Sequence, residues 1–195
     1  VEELAVGGDR APVVGREVLR PGPDTRVLAR YADGGAAMTV HPYGKGRAYA
    51  VGFYAGLEYS ATVRDGNYDM SKDYDPARLR FIAAPVLEVT QPVVETSVPA
   101  VEAVLLKNDT SAKMAVTLMN WAYRVTDPSK HTAGRVTPTV GIVELKDLKV
   151  SIRHAAQVKT VTSAMLDKNL TVQRRGEVLE VTLPVIRERD VLILQ

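Results

Sequence analysis

The chain contains no cysteine and only one tryptophan, Trp121, in 195 residues. Without thiols there are no disulfides, no zinc–thiolate site and no thiol nucleophile; the redox compartment stays open, a secreted or periplasmic one included. An excess of charge of one sign is also missing. Lys plus Arg is 25 and Asp plus Glu is 23, a formal net charge of +2. That balance gives no electrostatic footprint for nucleic acid or an acidic membrane surface, despite a pI of about 8.8. No run approaches the roughly 18 apolar residues of a membrane span. Internal repeats of fixed period and low-complexity tracts are absent too.

What is present is a chain with 46% hydrophobic residues, enough to build a real core. The chain opens at Val1 inside an already patterned stretch, and this reads as a piece cut from a longer polypeptide. The most informative stretch is Val27–Tyr59. Val27–Tyr31, Ala36–His41 and Arg47–Phe53 read as three antiparallel strands of a meander. Asp33-Gly34-Gly35 and Gly44-Lys45-Gly46 supply the residues that tight reversals demand. Val13–Leu19, bounded by Pro12 and Pro21, suggests a further strand, and Val1–Arg10 shows no clear period.

Asp75 with Pro76 has the form of a helix start, Leu79, Ile82 and Ala83 give a short apolar stripe, and Pro85 is expected to stop the helix. Beyond Val86 branched residues alternate with polar ones. Expected strands are Val93–Val98, Val101–Lys107, Lys113–Tyr123, Lys149–His154, Gln157–Met165, Leu170–Gln173, Val178–Leu183 and Val191–Leu194. The fold class expected is all-β and mainly antiparallel: a β-meander with one short helix, followed by an immunoglobulin-like β-sandwich. The boundary falls near Ala84–Gln91, giving domains 1–85 and 86–195.

Tyr31-Ala32-Asp33-Gly34, then Tyr43-Gly44-Lys45-Gly46-Arg47 and Val51-Gly52-Phe53-Tyr54, resembles the closing hairpin of class I glutamine-amidotransferase-like domains. The nearest versions are the trimerisation domain of microbial β-galactosidases and ThuA-like domains. Gly56-Leu57 with Tyr59, Arg80–Val86, Val101–Leu106 and Leu118-Met119-Asn120-Trp121 are similar to stretches of bacterial glycosidase-like proteins that end in a β-sandwich. The resemblance runs from about Arg26 to Leu194. The flavodoxin-like body and the (β/α)₈ barrel that would bear a glycosidase's glutamate pair have no match here, so no catalytic residue carries over.

The residues themselves offer few sites. Glu95, Glu102, Glu144 and Glu180 alternate onto outward faces, where solvated carboxylates are the ordinary reading. Asp65, Asn67, Asp69 and Asp73 space oxygen ligands like the opening of a calcium loop. Met70 replaces that loop's glycine and Pro76 its bidentate glutamate, which favours a merely polar loop. His41, His131 and His154 lack ligand spacing, and no serine sits in a Gly-x-Ser-x-Gly elbow. Gly44-Lys45-Gly46 is too short for a phosphate loop. Trp121 and Tyr123 are candidates for stacking a sugar, with core filling the favoured reading for Trp121.

The function expected is therefore a non-catalytic accessory part of a larger glycoside-hydrolase-like protein, serving packing, orientation or oligomerisation. A carbohydrate-binding module is the alternative, and a self-contained glycoside hydrolase comes third. No cofactor is expected. The partners expected are the missing N-terminal catalytic part or another copy of the chain, with carbohydrate a third candidate, and neither nucleic acid nor membrane. The meander is also expected to leave a strand edge that needs covering.

Overall fold

The computed structural model describes residues 3–6, 9–56, 74, 76–111, 113–125 and 139–195. These form antiparallel sheets and one helix, and no barrel closes among them. They fall into two compact units, residues up to 56 with 74–90, and residues 91–195.

The first unit is built on a three-stranded sheet of β3 (Arg26–Arg30), β4 (Ala36–Tyr43) and β5 (Gly46–Val51), in that order. This is the meander the glycine spacing predicts. Gly34 and Gly44 take the left-handed conformation, with φ of 87° and 57°, at the two reversals. Tyr43 pairs with Gly46, so the second reversal is a two-residue turn of Gly44 and Lys45. A small hairpin, β1 (Glu3–Val6) with β2 (Asp9–Pro12), precedes it in a stretch without a clear hydropathy period.

Val13–Leu19 is not a strand. Gly15 sits at a φ of 67° and breaks the extended run, leaving one bridge, Leu19 to Ala36. The segment nevertheless runs against the sheet: Glu17 donates to the Gly52 carbonyl at 2.7 Å, and Tyr54 donates to the Val14 carbonyl at 2.8 Å. Helix α1 (Pro76–Leu87) follows as predicted but passes through Pro85 rather than stopping there. Pro85 lies in the last turn and removes one amide donor from the helix, whose end is nonetheless closed by the Glu88 N–H reaching the Ala84 carbonyl at 3.1 Å. The capping role expected of Asp75 lies outside the described residues. Phe81 is the helix's buried anchor, its ring 6.0 Å from that of Phe53, inside a cluster with Leu4, Ala29, Tyr31, Ala37 and Met38.

The second unit is a two-sheet sandwich. Its strands are β6 (Val94–Thr96), β7 (Val101–Lys107), β8 (Met114–Asn120), β11 (Leu145–Ile152), β12 (Val161–Ser163), β13 (Lys168–Asn169), β14 (Thr171–Arg175), β15 (Val178–Ile186) and β16 (Arg189–Leu194). One sheet has the order β14-β15-β11-β6 and the other β13-β12-β16-β8-β7. Alternation sends Leu148, Val150 and Ile152 inward beside their cross-strand partners Leu183, Val181 and Leu179. From the other sheet Val116, Leu118, Leu192 and Leu194 complete a single core. Fully burying each such side chain stabilises the fold by about 1.5–3 kcal/mol.

Four expected strands end early, Val93–Val98 at Thr96 among them. The run Lys113–Tyr123 breaks at Asn120, whose side-chain oxygen accepts the Ala122 N–H at 2.9 Å and turns the chain out of the sheet. β9 (Tyr123–Val125) then pairs with β10 (Thr139–Ile142) in a separate ribbon. His154, at a φ of 56°, ends the Lys149–His154 run at Ile152. The stretch Gln157–Met165 keeps only Val161–Ser163 as strand, since residues 164–167 turn and Asp167 takes a φ of 49°.

Candidate functional site

The outer faces of the two sandwich sheets differ in kind. On the four-stranded sheet, Ser151 stands opposite Glu95 on one side and Glu180 on the other, and Lys149 opposite Thr182. Lys149 and Arg175 approach Glu180 at 3.9 and 3.8 Å, and Arg153 pairs with Glu95 at 3.1 Å. That surface is a lattice of charges and hydroxyls, suited to water.

The five-stranded sheet is apolar outside as well as inside. Its register sets three rows across β7, β8 and β16: Glu102–Met119–Arg189, Val104–Thr117–Val191 and Leu106–Ala115–Ile193. Val104, Leu106, Met119, Val191 and Ile193 are each between 37% and 51% exposed, although none has solvent-compatible chemistry. With Trp121 they present on the order of 400 Å² of apolar surface, within the range of the largest patches on monomeric proteins and often functional. The signal was in the sequence. Ala103–Leu106 and Val191–Leu194 carry apolar residues at consecutive positions, the pattern of a strand covered on both faces.

Trp121 does not fill the core. It is 45% exposed, and its indole N–H donates to a Glu102 carboxylate oxygen at 2.9 Å, so the ring lies against the apolar face. The inward places around it go to Asn120 and Ala122. Asn120 donates from one amide nitrogen to the carbonyls of Val143 at 2.9 Å and Arg187 at 2.6 Å. With the bond to Ala122 every function of this buried amide is satisfied, and three chain segments are tied at one corner. Tyr123 lies on β9 and is half-buried.

The carboxylates behave as surface groups: Glu95, Glu102 and Glu144 are exposed, Glu180 is shielded by its cations, and Glu144 pairs with Arg187 at 3.1 Å. An open cleft of about 650 Å³ at one end of the sandwich is lined by Glu144, Met165, Arg187, Glu188 and Asp190 among others. Its ionisable groups do not converge in a dry pocket. Arg187 is 82% exposed. Asp190 is buried, but its oxygens accept Ser163 Oγ at 2.6 Å, Met165 N–H at 3.2 Å and Val191 N–H at 2.7 Å. This carboxylate is fully employed in holding the turn after β12.

In the first unit the side chains of the meander's first turn serve as scaffolding. Tyr31 is buried, and its hydroxyl reaches the Gly52 carbonyl at 2.6 Å and the Glu17 carbonyl at 3.1 Å. Asp33 accepts the Gly35 N–H at 3.0 Å and pairs with Arg16, whose guanidinium also covers the Tyr31 ring at 4.5 Å. The Gly35 N–H, then the Arg16 hydrogen bond, hold the Asp33 carboxyl below its ordinary range. Glu88, after α1, accepts the Tyr49 hydroxyl at 2.6 Å and Arg47 at 2.7 Å. The Tyr49 bond and then the Arg47 charge lower its pKa in the same way. His41 meets Thr25 at 3.1 Å. Asp65, Asn67, Asp69, Asp73 and His131 lie outside the described residues. Among the described residues no three metal-ligating side chains cluster, and no helix is long and apolar enough to cross a membrane.

No protein-family model matches the chain, and no curated protein matches it. Among solved structures it is similar to alpha-L-fucosidase isoenzyme 2 from Paenibacillus thiaminolyticus, with a TM-score of 0.54 and 14% identity. The match covers 98% of this chain and 27% of the fucosidase, so the chain spans about a quarter of that enzyme's length. The likeness is one of fold, shared with part of a glycoside hydrolase.

Proposed function

We propose that the chain is a non-catalytic accessory part of a larger glycosidase-like protein, and that its sandwich serves to pack against another protein surface. The observation that carries this reading is the contrast between the two outer faces, one charged and one apolar. Leaving several half-exposed aliphatic side chains on one sheet opposes solubility, and covering them returns about 25 cal/mol for each Å² removed from water. The fold shared with a quarter of a fucosidase supports a glycosidase setting. On the same reading the first unit is the closing hairpin of an amidotransferase-like domain. In support, Tyr31, Asp33, Gly34 and Gly52 all have structural work.

The test pairs Leu106→Lys with Ile193→Lys. Both side chains are already exposed in the isolated fold, so its melting should change by no more than about 0.5 kcal/mol. Binding of a hydrophobic dye, and any association, should be lost. The samples should also fail to hydrolyse chromogenic glycosides. A large fall in melting with association intact would contradict the reading, as would turnover of any glycoside.

One observation favours carbohydrate binding as a second reading. Trp121 is exposed, and its orientation is fixed by Glu102, as a stacking platform requires. Tyr123 is half-buried, however, and the apolar surface extends well past the area of one sugar ring. Quenching of Trp121 emission by a glycan at millimolar concentration would move the balance.

A further inference from the structure

The apolar face has an internal symmetry that identifies what covers it. Taken across β8, the first row places Glu102 and Arg189 on either side of Met119. With neighbouring strands about 4.8 Å apart, the acid and the base stand roughly 10 Å from each other with Met119 between them, and they form no ion pair. They are the only charged side chains in the three rows. Among the described residues the Arg189 side chain makes no hydrogen bond or ion pair, and Glu102 uses one oxygen for Trp121. The next two rows balance in the same way, Val104 against Val191 and Leu106 against Ile193, with Thr117 and Ala115 between them.

From this register we infer that the outer face of the five-stranded sheet binds a second copy of the chain about a two-fold axis running along β8. Rotation about such an axis exchanges the two flanks of every row. Glu102 of one copy then meets Arg189 of the other, twice. Val104 faces Val191 and Leu106 faces Ile193, while Ala115, Thr117 and Met119 meet their own counterparts on the axis. A two-fold interface must be self-complementary in this sense. A two-fold axis across the strands instead would set Arg189 on Ile193 and strand both charges. Trp121, just beyond the end of β8, lies on the same outer face beside Glu102, so the only tryptophan reports the contact.

Two copies of the patch supply on the order of 800 Å², and their rims bring the total to about 1,200 Å², the low end of specific interfaces. Association in the range of about 1–100 µM is expected from such an area. The inference rests on the sandwich being a packing module, and it names the partner.

The chain's lack of cysteine makes the test clean. Sedimentation velocity between about 1 and 200 µM should show a monomer–dimer equilibrium, with Trp121 emission moving to the blue as the dimer fills. Thr117→Cys should be joined to its counterpart by a short bifunctional thiol reagent, because an on-axis residue faces itself across the roughly 10 Å between packed sheets. Ser151→Cys, on the charged sheet, should not. Arg189→Glu should weaken association at least tenfold, and adding Glu102→Arg should restore it. A monomer across the whole range, a cross-link only at 151, or indifference to Arg189→Glu each overturns the interface. Glycoside hydrolysis measured on the same samples separates the two claims. An inactive monomer removes the dimer and leaves the accessory reading, whereas a hydrolysing dimer removes the accessory reading and leaves the interface.

Discussion

Replacing Gly52 by alanine tests how the first unit is assembled. Gly52 does not need its freedom of φ; it needs the empty space where a side chain would be. A Cβ there would meet the Glu17 carbonyl oxygen closer than the 3.0 Å below which real Cβ atoms essentially never fall. It would also sit 3.1 Å from the Tyr31 hydroxyl and 3.3 Å from the Ala37 carbonyl. The obstacle is backbone, which cannot swing away as a side-chain tip does. Relief requires the Glu17 segment to lift from the sheet. That loosens the Glu17 bond to Gly52 at 2.7 Å, the Gly52 bond to Ala37 at 2.9 Å and the buried Tyr31 bond at 2.6 Å. At about 1 kcal/mol for each bond, with added cost where a buried partner is left unpaired, the loss is roughly 2–4 kcal/mol. Hydrogen exchange followed by mass spectrometry should therefore show amides of Ala37–Val40 opening about 30- to 1,000-fold faster. Gly46→Ala is the control, since its nearest neighbour lies at 3.7 Å, an ordinary contact. Exchange in Gly52→Ala within threefold of the unmodified chain would refute the packing of residues 14–19 described above.

Other expectations follow from the same contacts. Asn120→Leu leaves the Val143 and Arg187 carbonyls and the Ala122 N–H without partners in a buried corner. It should cost about 2–4 kcal/mol in a urea melt read by Trp121. Leu148→Ala, at a fully buried position facing Leu183, should cost about 2–5 kcal/mol in the same melt. Asp33 and Glu88 have folded pKa values below their ordinary 3.8 and 4.5. Their contribution is present above those values and is lost as pH falls through the lowered ones. Acid unfolding of the first unit should thus be blunted in an Asp33→Asn, Glu88→Gln variant, measured by circular dichroism. An unchanged acid limb would show that neither carboxylate is linked to folding.

The sequence made the meander and most sandwich strands readable because glycine pairs and two-residue alternation are local signals. Val101–Lys107 was legible to its last residue, and Ala36 opens its strand as the pattern says. The failures share a cause. Asn120 and His154 end strands through one side-chain bond or one backbone angle that no hydropathy pattern records. Pro85 reads as a stop because proline biases the residue before it away from helix, yet Ala84 stays helical and α1 runs on to Leu87. The site was legible in part. The outward carboxylates of the four-stranded sheet were seen as surface groups, but the double-sided character of β7 and β16 was passed over. For Trp121 the sequence favours core filling over sugar stacking because aromatics bury well. Parity decides otherwise, since Asn120 and Ala122 take the inward places and Trp121 follows Met119 onto the outer face.

The account turns on the outer face of the five-stranded sheet being a surface meant to be covered, and side-chain oxidation reads this residue by residue. Met119 and Trp121 lie on that face, while Met165, 61% exposed, lines the cleft at the sandwich end. In hydroxyl-radical footprinting from about 1 to 200 µM, Met119 and Trp121 should become protected as concentration rises, with Met165 oxidised at a constant rate. Equal oxidation of all three at every concentration would contradict the account.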